Sequence, residues 1–149
     1  MPATDPIAAE TLAFLQQAVL AAVLSGQPIH GSAHRVNLPD LGFALRRPSV
    51  ALSAENLAGP IDTGSLPRPV QLIGTDEEAR EAVRREGAGF LAFRPAVVED
   101  GGVRLTLEVR AAPPGGTAGR ALPLSAVQVR FRRSDGGWDV AGPPVQMSN

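Results

Sequence analysis

His30 and His34 are the only two imidazoles in the chain, and Ser32 stands between them. A His-x-x-x-His spacing places both rings on one side of a helix, where they can ligate a metal. Gly31 and the flanking Pro28 and Pro39 argue against a helix there, so no metal is expected. Ser32 beside a histidine offers the residue types of a nucleophile and its base, but no Gly-x-Ser-x-Gly turn surrounds it to present the hydroxyl. The remaining acids in irregular segments are Asp40, Glu55 and Asp62. Together these residues contain no convergent set of nucleophile, base and oxyanion donor, so no catalytic residue and no cofactor are assigned. His30, His34, Asp40 and Asp62 are instead the candidate ligand-binding residues, placed to line the mouth of a pocket.

Composition removes further chemistry. The chain has no cysteine, which excludes disulfides, thiolate metal sites and cysteine nucleophiles. All its Lys+Arg total of 14 is arginine, so there is no Schiff-base lysine and no complete Walker A loop. It has no tyrosine, which excludes a phenol-stabilised oxyanion. The formal charge is −1, with no excess of one sign in either half, so neither nucleic acid nor an anionic membrane is favoured as a partner. The longest apolar run, Ala18 to Leu24, is far short of the roughly 20 residues that span a bilayer. A soluble, cytoplasmic protein is expected.

The elements that must hold these residues are clearest near the C-terminus. Val127, Val129 and Phe131 alternate with Gln128, Arg130 and Arg132, the two-residue period of a strand with one dry face. Asp135-Gly136 supplies a turn. A two-residue type I′ loop there sets Phe131 opposite Val140, Arg132 opposite Asp139 and Arg133 opposite Trp138, with the guanidinium beside the indole. At the other end, Asp5-Pro6 opens a helix that runs to Ser25 and stops at Gly26, with Leu12, Phe14, Leu15, Val19, Leu20, Val23 and Leu24 making a wide apolar stripe.

Between these, Ser49–Leu52 and Val70–Ile73 read as short strands, with Ser53 capping a brief helix through Leu57 and residues 59–69 forming a surface loop. Thr75-Asp76-Glu77-Glu78 is a capping box for a helix through Glu86, with Asp76–Arg80 and Glu81–Arg85 spaced for i,i+4 pairing on a solvated face. Two strands follow, near Phe90–Val98 and Val103–Ala111. Val103, Leu105, Leu107 and Val109 point inward and Arg104, Thr106, Glu108 and Arg110 outward. A bulge at Pro95 brings Leu91 and Phe93 to the inside with Ala96 and Val98, and a second bulge near Ser125-Ala126 puts Leu122 and Leu124 in phase. Residues 112–120 read as a mobile loop. The ordered core is expected over about residues 5–142 of a single domain, 1–149, with a flexible C-terminal tail.

The order predicts an α+β fold in which the N-terminal helix packs on a curved antiparallel sheet, a cone-like helix-on-sheet roll. On Thr75–Ala111 and Val127–Val140 the chain resembles the cystatin-like and nuclear-transport-factor-2-like cone folds, and is similar to small bacterial domains that end in a strand, an Asp-Gly turn and a Trp-containing strand. The resemblance implies a bent sheet wrapped around the first helix. Isomerases, dehydratases and hydrolases occur in that group, but none of their catalytic sets transfers to residues of this chain. The expected function is a non-catalytic binding or protein-interaction domain. The alternative is a small-molecule enzyme with its pocket between the sheet and the first helix. A homodimer through the open sheet face is also expected, using Arg104, Arg110, Arg130, Arg132 and Asp139.

Overall fold

The computed structural model describes residues 7–111 and 122–148. Helix α1 spans Ala9–Ser25 and ends where Gly26 turns left-handed at φ 73°, its N–H closing on the Ala22 carbonyl. A short α2, Leu41–Ala44, and strand β1, Val50–Ser53, follow, then β2, Val70–Ile73, and helix α3, Asp76–Arg84. The remaining strands are β3 (Gly89–Phe93), β4 (Val97–Glu99), β5 (Gly102–Ala111), β6 (Leu122–Ser134), β7 (Gly137–Val140) and β8 (Val145–Ser148). The fold is α+β, an N-terminal helix with a curved, unclosed sheet, as the sequence pattern predicts.

The sheet runs β2-β1-β3-β5-β6-β7, with β4 also on β5 and β8 also on β6. It is mixed rather than wholly antiparallel: β1 lies parallel to both β2 and β3, and the other pairings are antiparallel. Helix α3 makes the crossover between β2 and β3, and this gives the sheet a second covered face. Alternation along β3 shows it directly. Leu91 and Phe93 join Leu15, Val19, Leu20 and Val23 of α1 in the main core, together with Val103, Leu105, Leu107, Val109, Val127, Val129 and Phe131. Phe90 and Ala92 point the other way and meet Ala51, Ala79, Val83 and Ala88 under α3. On the inward side of α3, Ala79 and Val83 are fully buried. Phe14 departs from the expected stripe of α1 and is 68% exposed.

The C-terminal hairpin has the expected register, with Phe131 opposite Val140, Arg132 opposite Asp139 and Arg133 opposite Trp138. Its turn differs. Only Gly136 has positive φ, at 86°, so the two left-handed residues of a type I′ turn are not present. The Pro95 bulge is present: Phe93 pairs with Leu107 but Val97 with Arg104, one residue being gained between them. It buries Leu91 and Phe93 as expected but leaves Val98 41% exposed at the sheet's edge. The second shift lies one residue before its expected place, Val109 pairing with Ser125 and Arg110 with Pro123, so that Leu124 is the extra residue.

Beyond Gly142-Pro143-Pro144, where the sequence suggests a tail, the chain forms strand β8. Gly142, at φ 81°, turns it back, and β8 pairs antiparallel with Ser125–Gln128 of β6. Strand β7 covers only the far end of the 13-residue β6, so its first half presents an open edge that β8 closes. Other expectations shift for local reasons. Ser53 ends β1 rather than capping a helix, and Ala54–Leu57 is a single turn. The segment 59–69 is anchored, with Ile61 and Leu66 buried and a 3₁₀ turn at Thr63–Ser65. Two glutamines of α1 hold this segment and the turn before it. Gln16 bonds Asn56 O at 3.0 Å and Ala58 N at 2.9 Å, and Gln17 bonds both backbone groups of Asp62. The Asp5-Pro6 helix start and the 112–120 loop lie outside the described residues.

Candidate functional site

The crossover through α3 places the helix N-terminus beside the outward face of β5. Thr75 caps the helix, its hydroxyl accepting from the Glu78 N–H at 3.1 Å and donating to Glu78 Oε1 at 3.1 Å. Glu55, in the turn after β1, accepts from the Asp76 N–H at 3.3 Å. Two of the free amides of the first turn are thus satisfied, and Asp76 is fixed where its carboxylate can reach two strands.

One oxygen of Asp76 accepts from the Ser53 hydroxyl and the other meets Nη1 of Arg110. Arg110 then forks onto Glu108, Nε and Nη2 lying 2.8 and 2.6 Å from Oε1. The second oxygen of Glu108 takes Arg94, Nε and Nη2 both at 2.7 Å. Glu108 is only 3% exposed, and a carboxylate so buried is tolerable only because each oxygen has its own guanidinium. The chain Ser53–Asp76–Arg110–Glu108–Arg94 joins β1, α3, β5 and the bulge, with two negative and two positive charges in balance.

Asp76, Glu108 and Arg110 of this chain form the floor of a cleft of about 690 Å³ between α3 and β5, which Glu55, Asn56, Glu77, Arg80, Pro95 and Pro123 also line. Asn56 is held from both sides, donating to the Phe93 carbonyl at 2.9 Å while its own carbonyl takes Gln16. The carboxylates of Glu55 and Glu77 stand on the exposed rim. Arg80 is buried in the wall at 8% exposure; among the described residues it pairs only sideways, with Glu81 at 3.0 Å. A smaller cleft of about 420 Å³ lies at the start of α1, lined in part by Thr11, Arg133 and Trp138.

The structure places the sequence-predicted ligand residues elsewhere. His30, His34, Asp40 and Asp62 are all exposed, and none lines the α3–β5 cleft. His34 N–H bonds Ser32 Oγ at 3.1 Å in a non-helical turn. Asp40, at φ 60°, leads into α2. The Asp62 carboxylate accepts from Ser65 Oγ at 2.5 Å, a local turn contact. Among the described residues no group of His, Asp and Glu could hold a metal ion. The expected pocket between sheet and first helix is filled with hydrocarbon, Val19, Leu20, Leu105 and Leu107 being almost fully buried there.

Of the expected interface set, Arg110 is drawn into the cleft floor and is not a free surface arginine. Arg130 leans on Glu99 at 3.5 Å and sits opposite Arg104 in the sheet. Arg132 and Asp139 are aligned and exposed, but no ion pair within 4.0 Å joins them. The i,i+4 pairs of α3 also fail to form. Asp76 goes to Arg110 instead of Arg80, and Glu81 takes Arg80 and Arg84 instead of Arg85.

Sequence reasoning missed Asp76, Arg80, Arg94 and Glu108. The available signal was the period of β5, which puts Glu108 and Arg110 two apart on one face, facing α3 once a crossover is allowed. No family model, no curated protein and no solved structure matches this chain. Among the described residues no helix is long and apolar enough to cross a membrane.

Proposed function

We propose that this chain is a non-catalytic binding domain and that a small polar ligand occupies the cleft between α3 and β5. The observation that carries the reading is Glu108, buried and held on both oxygens, at the base of an open cleft. Such a floor is rigid before any ligand arrives, and preorganised polar groups around a concave site lower the ordering cost of binding. The same contacts support a non-catalytic role. The two carboxylates best placed to act as bases, Asp76 and Glu108, are committed to guanidinium partners, and the Asp76 that accepts the Ser53 hydroxyl gives its other oxygen to Arg110.

The test is a calorimetric and NMR screen of small acids, amines and zwitterions, repeated as a turnover screen with ester, amide and hydroxy-acid substrates. Binding without turnover is expected, and binding should weaken in Asn56→Ala. Turnover abolished by Asp76→Asn would replace this reading with an enzymatic one. Kinship with the cone folds and self-association through Arg132 and Asp139 belong to the same proposal. The second is supported by the fact that both side chains are exposed and lack an ion-pair partner among the described residues.

A further inference from the structure

Arg80 stands apart from the other arginines of the cleft. It is 8% exposed, yet among the described residues its guanidinium donates no hydrogen bond, and its only ion pair is with Glu81, whose side chain is half-exposed. By contrast, Arg94 delivers two nitrogens to a carboxylate and Arg110 delivers three to two carboxylates. The Arg80 nitrogens are not buried without a partner, but a guanidinium whose single carboxylate is half-exposed has donors left to offer an anion that enters the cleft. Its planar fork matches a carboxylate bidentately.

The rest of the lining restricts what that anion can belong to. Asp76 and Glu108 are neutralised by Arg110 and Arg94, but Glu55 and Glu77 on the rim have no ion pair among the described residues, and Glu81 lies next to Arg80. A phosphate or dicarboxylate seated on Arg80 would meet three like charges nearby. A ligand that brings its own cation alongside its carboxylate would meet none unpaired. We infer that the cleft binds a zwitterion, a molecule with one carboxylate for Arg80 and one ammonium or guanidinium for Glu55 and Glu77, as in an amino acid or a short peptide. This rests on the cleft being the ligand site, as proposed above.

The test is a titration of the full chain with L-alanine, L-arginine and glycylglycine, against acetate, ethylamine and inorganic phosphate as partial probes. Binding is followed by the side-chain amide signals of Asn56 and by calorimetry. At least one zwitterion should bind about tenfold or more tighter than acetate, ethylamine or phosphate. Arg80→Met should weaken it by about tenfold and Glu77→Gln by a few-fold. Circular dichroism checks that Arg80→Met folds; Glu77→Gln, on an exposed side chain, tests the cationic subsite should it not. Acetate or phosphate binding as tightly as the zwitterions, with Asn56 perturbed, overturns the zwitterion while leaving the cleft as the site. No probe perturbing Asn56 overturns both.

Discussion

Arg94 reaches Glu108 at 2.7 Å because the chain changes register between them. The N–H of Arg94 still bonds the Thr106 carbonyl at 2.9 Å, but Pro95 then removes the next donor and the strand steps outward by one residue. The bulge that keeps Phe93 in the core thus also turns an arginine over a buried acid. A local feature of β-sheet geometry sets the charge balance of the cleft.

Removing that acid is expected to be among the most damaging polar changes. Glu108→Ala leaves Arg110, whose side chain is 16% exposed, with half its partners, and should cost about 3–5 kcal/mol in chemical denaturation. Arg94→Ala should cost clearly less, since its side chain is 44% exposed and Arg110 still covers one oxygen. Equal losses would mean that the two arginines share the charge differently.

Leu107→Ala and Phe131→Ala should each lower stability by about 2–5 kcal/mol, both being buried mid-strand beneath α1. Phe90→Ala, on the opposite face under α3, should fall in the same range. Wild-type urea midpoints in any of the three would contradict the two-sided core.

Gln16 links the two faces of the molecule. Its amide holds the backbone of Asn56 and Ala58 across 40 and 42 positions, and Asn56 in turn lines the cleft. Gln16→Leu keeps the volume but leaves both backbone groups without that partner, at about 1–3 kcal/mol. Binding in the cleft should weaken in the same variant, which a pure packing role for Gln16 does not predict.

Most of the fold is legible in the sequence and most of the cleft is not, and the reason is the range of the interactions. The hairpin register, the Thr75 cap and both bulges follow from alternation and turn residues within a few positions. The parallel placement of β1 between β2 and β3 depends on a crossover that no local pattern signals, and it is this crossover that puts α3 over Glu108. Without it, Glu108 and Arg110 read as wet-face residues and Asp76 as the partner of Arg80. The polar residues of the irregular segments attract notice instead, although the Asp62 carboxylate accepts from Ser65 in a local turn and His30, His34 and Asp40 are exposed.

Strand β8 is a short element joined to the domain by Gly142-Pro143-Pro144 and paired with Ser125–Gln128. Ending the chain at Ala141 should expose that edge of β6. Faster amide exchange across residues 125–128, with little change in β3, is the expected outcome. Unchanged protection there would show that β8 contributes nothing to the edge.

Self-association through the β6–β7 end should be visible by light scattering at tens of micromolar as a twofold dimer, and Arg132→Glu should shift it toward monomer. A monomeric wild type, or a dimer indifferent to that reversal, removes the sheet end as an interface.

The central claim is that the α3–β5 cleft is where this protein meets its ligand. The most direct measurement is an amide and side-chain NMR map of the full chain titrated with a mixed set of small acids, amines and zwitterions. The account predicts perturbations gathered on Asn56, Arg80 and Arg110, with the α1 end silent. Perturbations gathered instead on Thr11, Arg133 and Trp138, or confined to His30 and His34, would contradict it.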